Sequence, residues 1–382
     1  MQEQRPQCLG SRIVRDLTDN TPLRIAVIAH VRHPVAAPFM GGMEAHCETL
    51  VRALVADGHD VTLFASGDSD PSLPVHAICP RAYEAELPWA TWHGTATLRE
   101  WLLRTYRGAW EAIVEGGFDV VHNNALFPDL LDWASRDRVA MVTSLHVPPF
   151  RALGEAVARN AVAPWQQLTV CSSQQQALWP AGTTRVALNG IDIARWPFEA
   201  VGGGRAIWVG RITPTKGTLE AIDAAEAARV PLDIVGPIDC RDYWVQVSPR
   251  IRAPHRYLGH LSGAALTHAV QGASVLVATP MWDEPFGLTM VEAMACGVPV
   301  AALGRGAIPE VVGDAGVVVA SPADLPQAIR GAMEIDRTVP RARVERHFSA
   351  AAMIGRYREA YASAIAGLRS VSSIESTRAL LA

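Results

Sequence analysis

Of the 34 lysines and arginines in the chain one is a lysine, Lys216, and it follows Arg211 by five residues in the run VGRITPTKG, 209–217. A strand ends at Gly210 and a helical run follows Gly217. The two cations therefore flank one loop, stiffened by Pro214, and could clamp an anion from two sides. A lysine brings a compact, mobile point charge where an arginine brings a planar fork. Taken alone, the loop reads more readily as a solvated surface turn. The run WDEPFGLTMVEAMACGVPV, 282–300, adds a second chemistry. Glu284 falls in a loop just after a strand, Gly287 opens a helix, and Glu292 lies on that helix. The unpaired N–H groups of Gly287, Leu288 and Thr289 form an anion site helped by the helix dipole. A carboxylate on each side of it suits sugar or ribose hydroxyls, from which carboxylates accept hydrogen bonds.

Two series of alternating strands and helices must carry these loops. The first begins at Leu23, with RIAVIAH, DVTLFA, FDVVH, VAMVTSL and QLTVCSS as strands and a helix from Met43 to Asp57 that stops at Gly58. Near Arg195 the pattern breaks into WPFEAVGGGR, a linker by its proline and glycines. The second series comprises RAIWVGR, PLDIVG, ASVLVATP, GVPVAAL and GVVVA. An arginine-rich stretch and a long helix from about Ala350 to Leu368 follow. The alternation predicts α/β architecture: two Rossmann-like domains with parallel sheets, facing each other across a cleft. Ligands of such sheets sit beyond the carboxyl ends of the strands, so both domains should line one site. The expected boundaries are a polar extension over 1–22, a first domain over 23–198 joined by a returning helix over 350–370, and a second domain over 199–349.

Bulk properties narrow the partners. A chain of 382 residues, 49% apolar and 19% charged, with net charge −4 and pI near 6.3, offers no broad field for nucleic acid or anionic lipid. The six cysteines lie far apart with no C-x-x-C pair, which argues against a zinc site or a disulfide framework and fits a cytoplasmic protein. No apolar run reaches membrane-spanning length. Asp68-Ser69-Asp70 has the form of a metal-binding D-x-D but sits in a Gly/Pro-flanked loop; we read it as a turn and expect no metal and no cofactor. GRGAIP, 304–309, has Pro309 where a dinucleotide fingerprint needs its last glycine.

The phrase Glu284-Pro285-Phe286-Gly287 with Glu292-Ala293-Met294-Ala295-Cys296-Gly297-Val298-Pro299-Val300 resembles the signature of the family 4 retaining glycosyltransferases of GT-B fold. Other landmarks of that family stand in order: GGMEAH at 41–46, SLH at 144–146, CSSQ at 171–174, NGID at 189–192, VGRI…KG at 209–217 and GAIPEVV at 306–312. The resemblance spans about residues 23–365. It implies that Arg211 and Lys216 hold a donor diphosphate, with Leu288 and Thr289 beside it and Gly41 and Gly42 allowing close backbone approach. It implies further that Glu284, Phe286 and Gly287 contact the donor sugar, that Glu292 holds the ribose, and that His146 lies by the reacting carbon. Pro237, His260 and Leu261 would border the nucleotide base. Trp89 and Trp92, in a tryptophan-rich segment where the family places its acceptor, are acceptor candidates, although a helix packing its apolar face explains them as well.

The reaction expected is transfer of a hexose-type sugar, with retention, from a UDP- or GDP-sugar to an acceptor hydroxyl on a glycan, an envelope precursor or a small natural product. A nucleotide-sugar epimerase and a catalytically silent nucleotide-sugar sensor are the competing readings. Acidic residues offset the arginines of the tryptophan-rich segment, so membrane association should be weak at most. Oligomeric state is open.

Overall fold

The computed structural model describes residues 21–381. The polar extension expected over 1–22 therefore falls, up to residue 20, outside the described residues. All strands pair in parallel, in two sheets. The first takes β1 (Arg24–Ile28), β2 (Asp60–Ser66), β3 (Val75–Cys79), β4 (Val120–Asn123), β5 (Met141–Leu145), β6 (Gln166–Val170) and β7 (Thr184–Val186) in the order β3-β2-β1-β4-β5-β6-β7. The second takes β8 (Ala206–Val209), β9 (Leu232–Val235), β10 (Arg256–Tyr257), β11 (Val275–Ala278), β12 (Val300–Leu303) and β13 (Gly316–Val319) in the order β10-β9-β8-β11-β12-β13. Both orders reverse direction once, between β1 and β4 and between β8 and β11. Crevices for ligands open at these switch points, and each loop singled out by its chemistry leaves a strand at one of them.

The strands read as near-continuous apolar runs because helices cover both faces of each sheet. Central strands such as β4, β5 and β12 are buried along their whole length. The helix Gly42–Ala56 follows β1 and packs Leu50, Val51 and Leu54 under the first sheet. The final helix, Ala350–Leu381, presents Met353, Ile354, Tyr357, Ala360, Tyr361, Ala364 and Ile365 to that same core, a 3.6-residue stripe. It enters by pairing with Ile191: Ile191 N–H donates to Phe348 O at 2.9 Å, and Ala350 N–H donates to Ile191 O at 2.9 Å. The chain thus crosses back from the second sheet to the first. The helix runs past the expected end at Leu368, through Gly367 and with no proline to stop it.

Candidate active site

The loop after β8 is fixed before it can hold anything. Gly217 has φ +67°, and a Cβ there would stand 1.9 Å from Thr279 O, so the position requires glycine. Thr279 Oγ donates to Gly217 O at 2.6 Å and ties the loop to the end of β11. From this anchor Lys216 Nζ reaches Glu284 Oε2 at 2.5 Å, and the indole N–H of Trp282 donates to the same oxygen at 3.0 Å. The ammonium also lies over the Trp282 ring, 5.4 Å from its centroid. Arg211, five residues earlier, pairs with Asp239 at 2.9 Å. Its charge also acts on the buried carboxyl of Glu44 and on His33, both from the first domain.

Gly287, at φ +89°, caps the eight-residue helix Leu288–Ala295, and Phe286 is buried edge-on against Phe348. Leu288 opens this helix and Gly42 opens the helix after β1; a Cβ added to Gly42 would lie 3.4 Å from Leu288 Cδ1. Two helix N-termini, one from each domain, therefore meet across the cleft, beside the strand ends that carry Arg211 and Lys216. Each terminus leaves backbone N–H groups unpaired and carries about half a positive charge. One turn along the second helix, burial alone lifts the Glu292 carboxyl to about 7, with no charge or hydrogen bond of the described residues to offset it.

On the first-domain side His146 follows β5. Its Nε2 lies 2.7 Å from Asn124 Oδ1, and its ring meets the edge of His46 at 4.6 Å. With the amide oriented this way Nε2 carries the proton, and Nδ1 remains an acceptor. Burial lowers His146 to about 4, so the imidazole is neutral near pH 7. His30, at the end of β1, is likewise lowered to about 4, and His122, inside β4, to about 3.

The remaining sequence candidates scatter more. Pro237 O accepts from Ile212 N–H at 2.9 Å, and Gly236 N–H donates to Gly259 O at 2.9 Å. The loops bearing Pro237, His260 and Leu261 therefore border the Arg211 loop. His260 is exposed, whereas Leu261 packs against the second-domain core. Trp92 packs against the first-domain core together with Trp101, and Trp110 is buried within it. Trp89 alone of the four is exposed, with the Arg32 guanidinium 5.3 Å from its ring centroid. Asp68 and Asp70 already have partners: Asp68 accepts from Ala82 N–H, while Asp70 accepts from Ser72 in its own turn and from Arg52.

Matches to known proteins fall on both domains. A model described as glycosyltransferase family 4 matches residues 40–195, and one described as glycosyl transferases group 1 matches residues 203–334. The chain is a family 4 glycosyltransferase. A glycogen synthase of Mycobacterium tuberculosis is 28% identical over 82% of this chain and 86% of its own length. A D-inositol 3-phosphate glycosyltransferase of Mycolicibacterium smegmatis is 28% identical over 79% of this chain and 80% of its own. In fold it is similar to AviGT4, a glycosyltransferase involved in avilamycin A biosynthesis, with TM-score 0.69, 20% identity, and coverage of 91% of this chain and 99% of that one.

Several residues around the glycosyltransferase's cleft carry no sequence signal of their own. Asn124, Glu44 and His46 gain significance only when β4, β5 and the first helix meet. Glu44 and His46 both lie in GGMEAH, His46 four residues after Gly42 and hence on the same side of the helix. Ser172 and Gln175 stood in CSSQ and the residue after it, without a role. The structure places Ser172 against Pro285 of the second domain and Gln175 behind it on Leu145 O.

Proposed function

We propose that this glycosyltransferase transfers a hexose-type sugar, with retention of anomeric configuration, from a UDP- or GDP-sugar to an acceptor hydroxyl, without a metal and in the cytoplasm. The observation that carries the reading is the meeting of two helix N-termini, at Gly42 and Leu288, beside Arg211 and Lys216. An approaching diphosphate would accept from backbone N–H groups of both domains and take the two cations as counter-ions. That charge grows as the sugar–phosphate bond breaks, so the same groups favour the departing nucleotide over the bound donor. They supply the positive charge that a divalent ion would otherwise provide.

Glu284 would turn to the donor's sugar hydroxyls and Glu292 to the ribose diol. His146, neutral and aimed by Asn124, would accept from a sugar hydroxyl through Nδ1 without competing as a cation. Retention would follow from the acceptor hydroxyl attacking on the face the diphosphate leaves, its proton passing to a departing phosphate oxygen. The first domain would bind the acceptor, with Trp89 as the exposed aromatic candidate. The relatives' names, one a glycogen synthase and one an inositol phosphate glycosyltransferase, support hydroxyl acceptors. The test is incubation with UDP- and GDP-hexoses, with and without sugar acceptors. Acceptor-dependent release of nucleotide supports transfer. Isomerised donor without acceptor, or binding without turnover, would replace the reading with an epimerase or a sensor.

A further inference from the structure

The carbonyl next to Glu284 is held from the other domain. Glu284 O accepts from Ala307 N–H at 2.8 Å, within its own domain. Pro285 O, one residue on, instead accepts from Ser172 Oγ at 2.8 Å, with Cys171 Sγ 3.3 Å away. Both partners follow β6 of the first domain. Glu310 makes a second tie, its two oxygens accepting from Ser173 N–H at 2.9 Å and Ser173 Oγ at 3.0 Å. Behind Ser172, buried Gln175 donates from Nε2 to Leu145 O at 2.5 Å and accepts from Cys171 N–H at 3.1 Å. Leu145 immediately precedes His146. A short chain of hydrogen bonds thus runs from the backbone before His146, through Gln175 and Cys171-Ser172, to the backbone after Glu284.

We propose that Ser172, seconded by Glu310, is a positioning residue that sets Glu284 in register with His146 only when the two domains are together. The claim rests on the transferase reading above. When the domains part, Pro285 O loses its protein partner and Glu284 is held from one side only. The carboxylate that orients the donor sugar is then complete only in the closed cleft, from which water is excluded. A donor bound to the second domain alone would be held by its nucleotide but not aligned for transfer.

Ser172 also caps its own short helix, accepting from Gln175 N–H at 3.1 Å, so Ser172→Ala by itself could act through local folding. Glu310→Ala cuts the second tie from the opposite domain and leaves that cap intact. The readout is the ratio of sugar transferred to acceptor over donor hydrolysed, which does not depend on the folded fraction. Loss of one hydrogen bond to Pro285 O predicts a fall of roughly 2- to 12-fold for Ser172→Ala, and Glu310→Ala, which cuts two bonds to a carboxylate, should fall at least as far. Donor KM should stay close to that of the parent, and Glu310→Gln, which keeps one acceptor oxygen, should fall less. An unchanged ratio in both variants, with only thermal stability lowered, would overturn the proposal. If Ser172→Ala fails to fold, Glu310→Ala decides alone. A parent protein that processes no nucleotide sugar would instead overturn the transferase reading, and the positioning role with it.

Discussion

The sharpest prediction concerns the ion pair between the two groups assigned to opposite ends of the donor. Lys216 Nζ and Glu284 Oε2 are 2.5 Å apart, with side chains 26% and 14% exposed. If Lys216 is a diphosphate ligand and Glu284 a sugar ligand, donor binding must split this pair. Lys216→Met keeps the aliphatic stem over Trp282 and removes the charge. A lost charged hydrogen bond costs about 1.5–3 kcal/mol, so kcat/KM for the nucleotide sugar should fall about 10- to 100-fold.

Glu284→Gln makes the opposite prediction for one ligand. A nucleoside diphosphate without sugar has no use for Glu284, yet in the parent it must pull Lys216 away from it. A half-buried pair is worth on the order of 1 kcal/mol, so the variant should bind the free diphosphate up to about fivefold more tightly. Sugar transfer by the same variant should still drop sharply. Isothermal titration with UDP and GDP, beside steady-state kinetics, separates the two effects. Normal diphosphate affinity in Lys216→Met would refute the clamp. Equal weakening in both variants would show that the pair only braces the loop.

Three further outcomes are expected. Glu292, lifted to about 7 by burial, should lose its proton when ribose hydroxyls bind to it, so donor binding at pH 7 should release a fraction of a proton in the parent and none in Glu292→Gln; titration in buffers of different ionisation enthalpy checks this. His30, His122 and His146 are held at about 4, 3 and 4, whereas in the unfolded chain they titrate near 6.5, so below pH 6.5 the unfolded state takes up protons that the fold refuses. Each should remove up to ~1.4 kcal/mol of stability per pH unit as pH falls from about 6.5 towards 4, with Glu292, lifted to about 7, offsetting about one histidine's share, and urea unfolding at pH 7.5, 6 and 5 should show a net loss. Activity should survive EDTA in full, and a strict divalent-ion requirement would return attention to Asp68 and Asp70.

How much of this could be read from the chain depended on where each signal resides. The central strands were legible because burial on both faces makes them continuous apolar runs. Three of the four edge strands were not: β3 is half exposed, β7 has three residues and β10 has two, so none yields a run longer than chance, whereas the fourth, β13, stands out as GVVVA. Lys216, Gly287 and Glu292 were legible for a local reason, since their chemistry rests on spacing within one loop and one helix. The Lys216–Glu284 pair was not, because it joins residues 68 apart through the packing of β8 on β11. Asn124 behind His146 and Ser172 behind Pro285 were hidden in the same way. A serine or an asparagine becomes meaningful only through its partner, and these partners come from other strands or from the other domain.

The single lysine gains a physical reason from what the arginines do. Arg337 donates to the carbonyls of Glu199, Ala273, Gln271 and Cys296, and Arg341 to those of Trp196 and Ala295. Arg343 bridges Val311 O and Glu310 O. These are planar, many-toothed contacts that fasten the linker and the helices, and a guanidinium suits them because it offers several donors in a fixed fork. On the proposed reading the group beside Glu284 faces the reverse requirement: it would hold a carboxylate when the cleft is empty and release it for a phosphate. A fork laid on Glu284 could form two parallel bonds and bind it more firmly, which would raise the barrier to that exchange. An ammonium makes one contact with the carboxylate and can swing on a flexible stem. In a chain that fastens its linker and helices with arginines, lysine stands, on the proposed reading, at an ion pair that donor binding has to open.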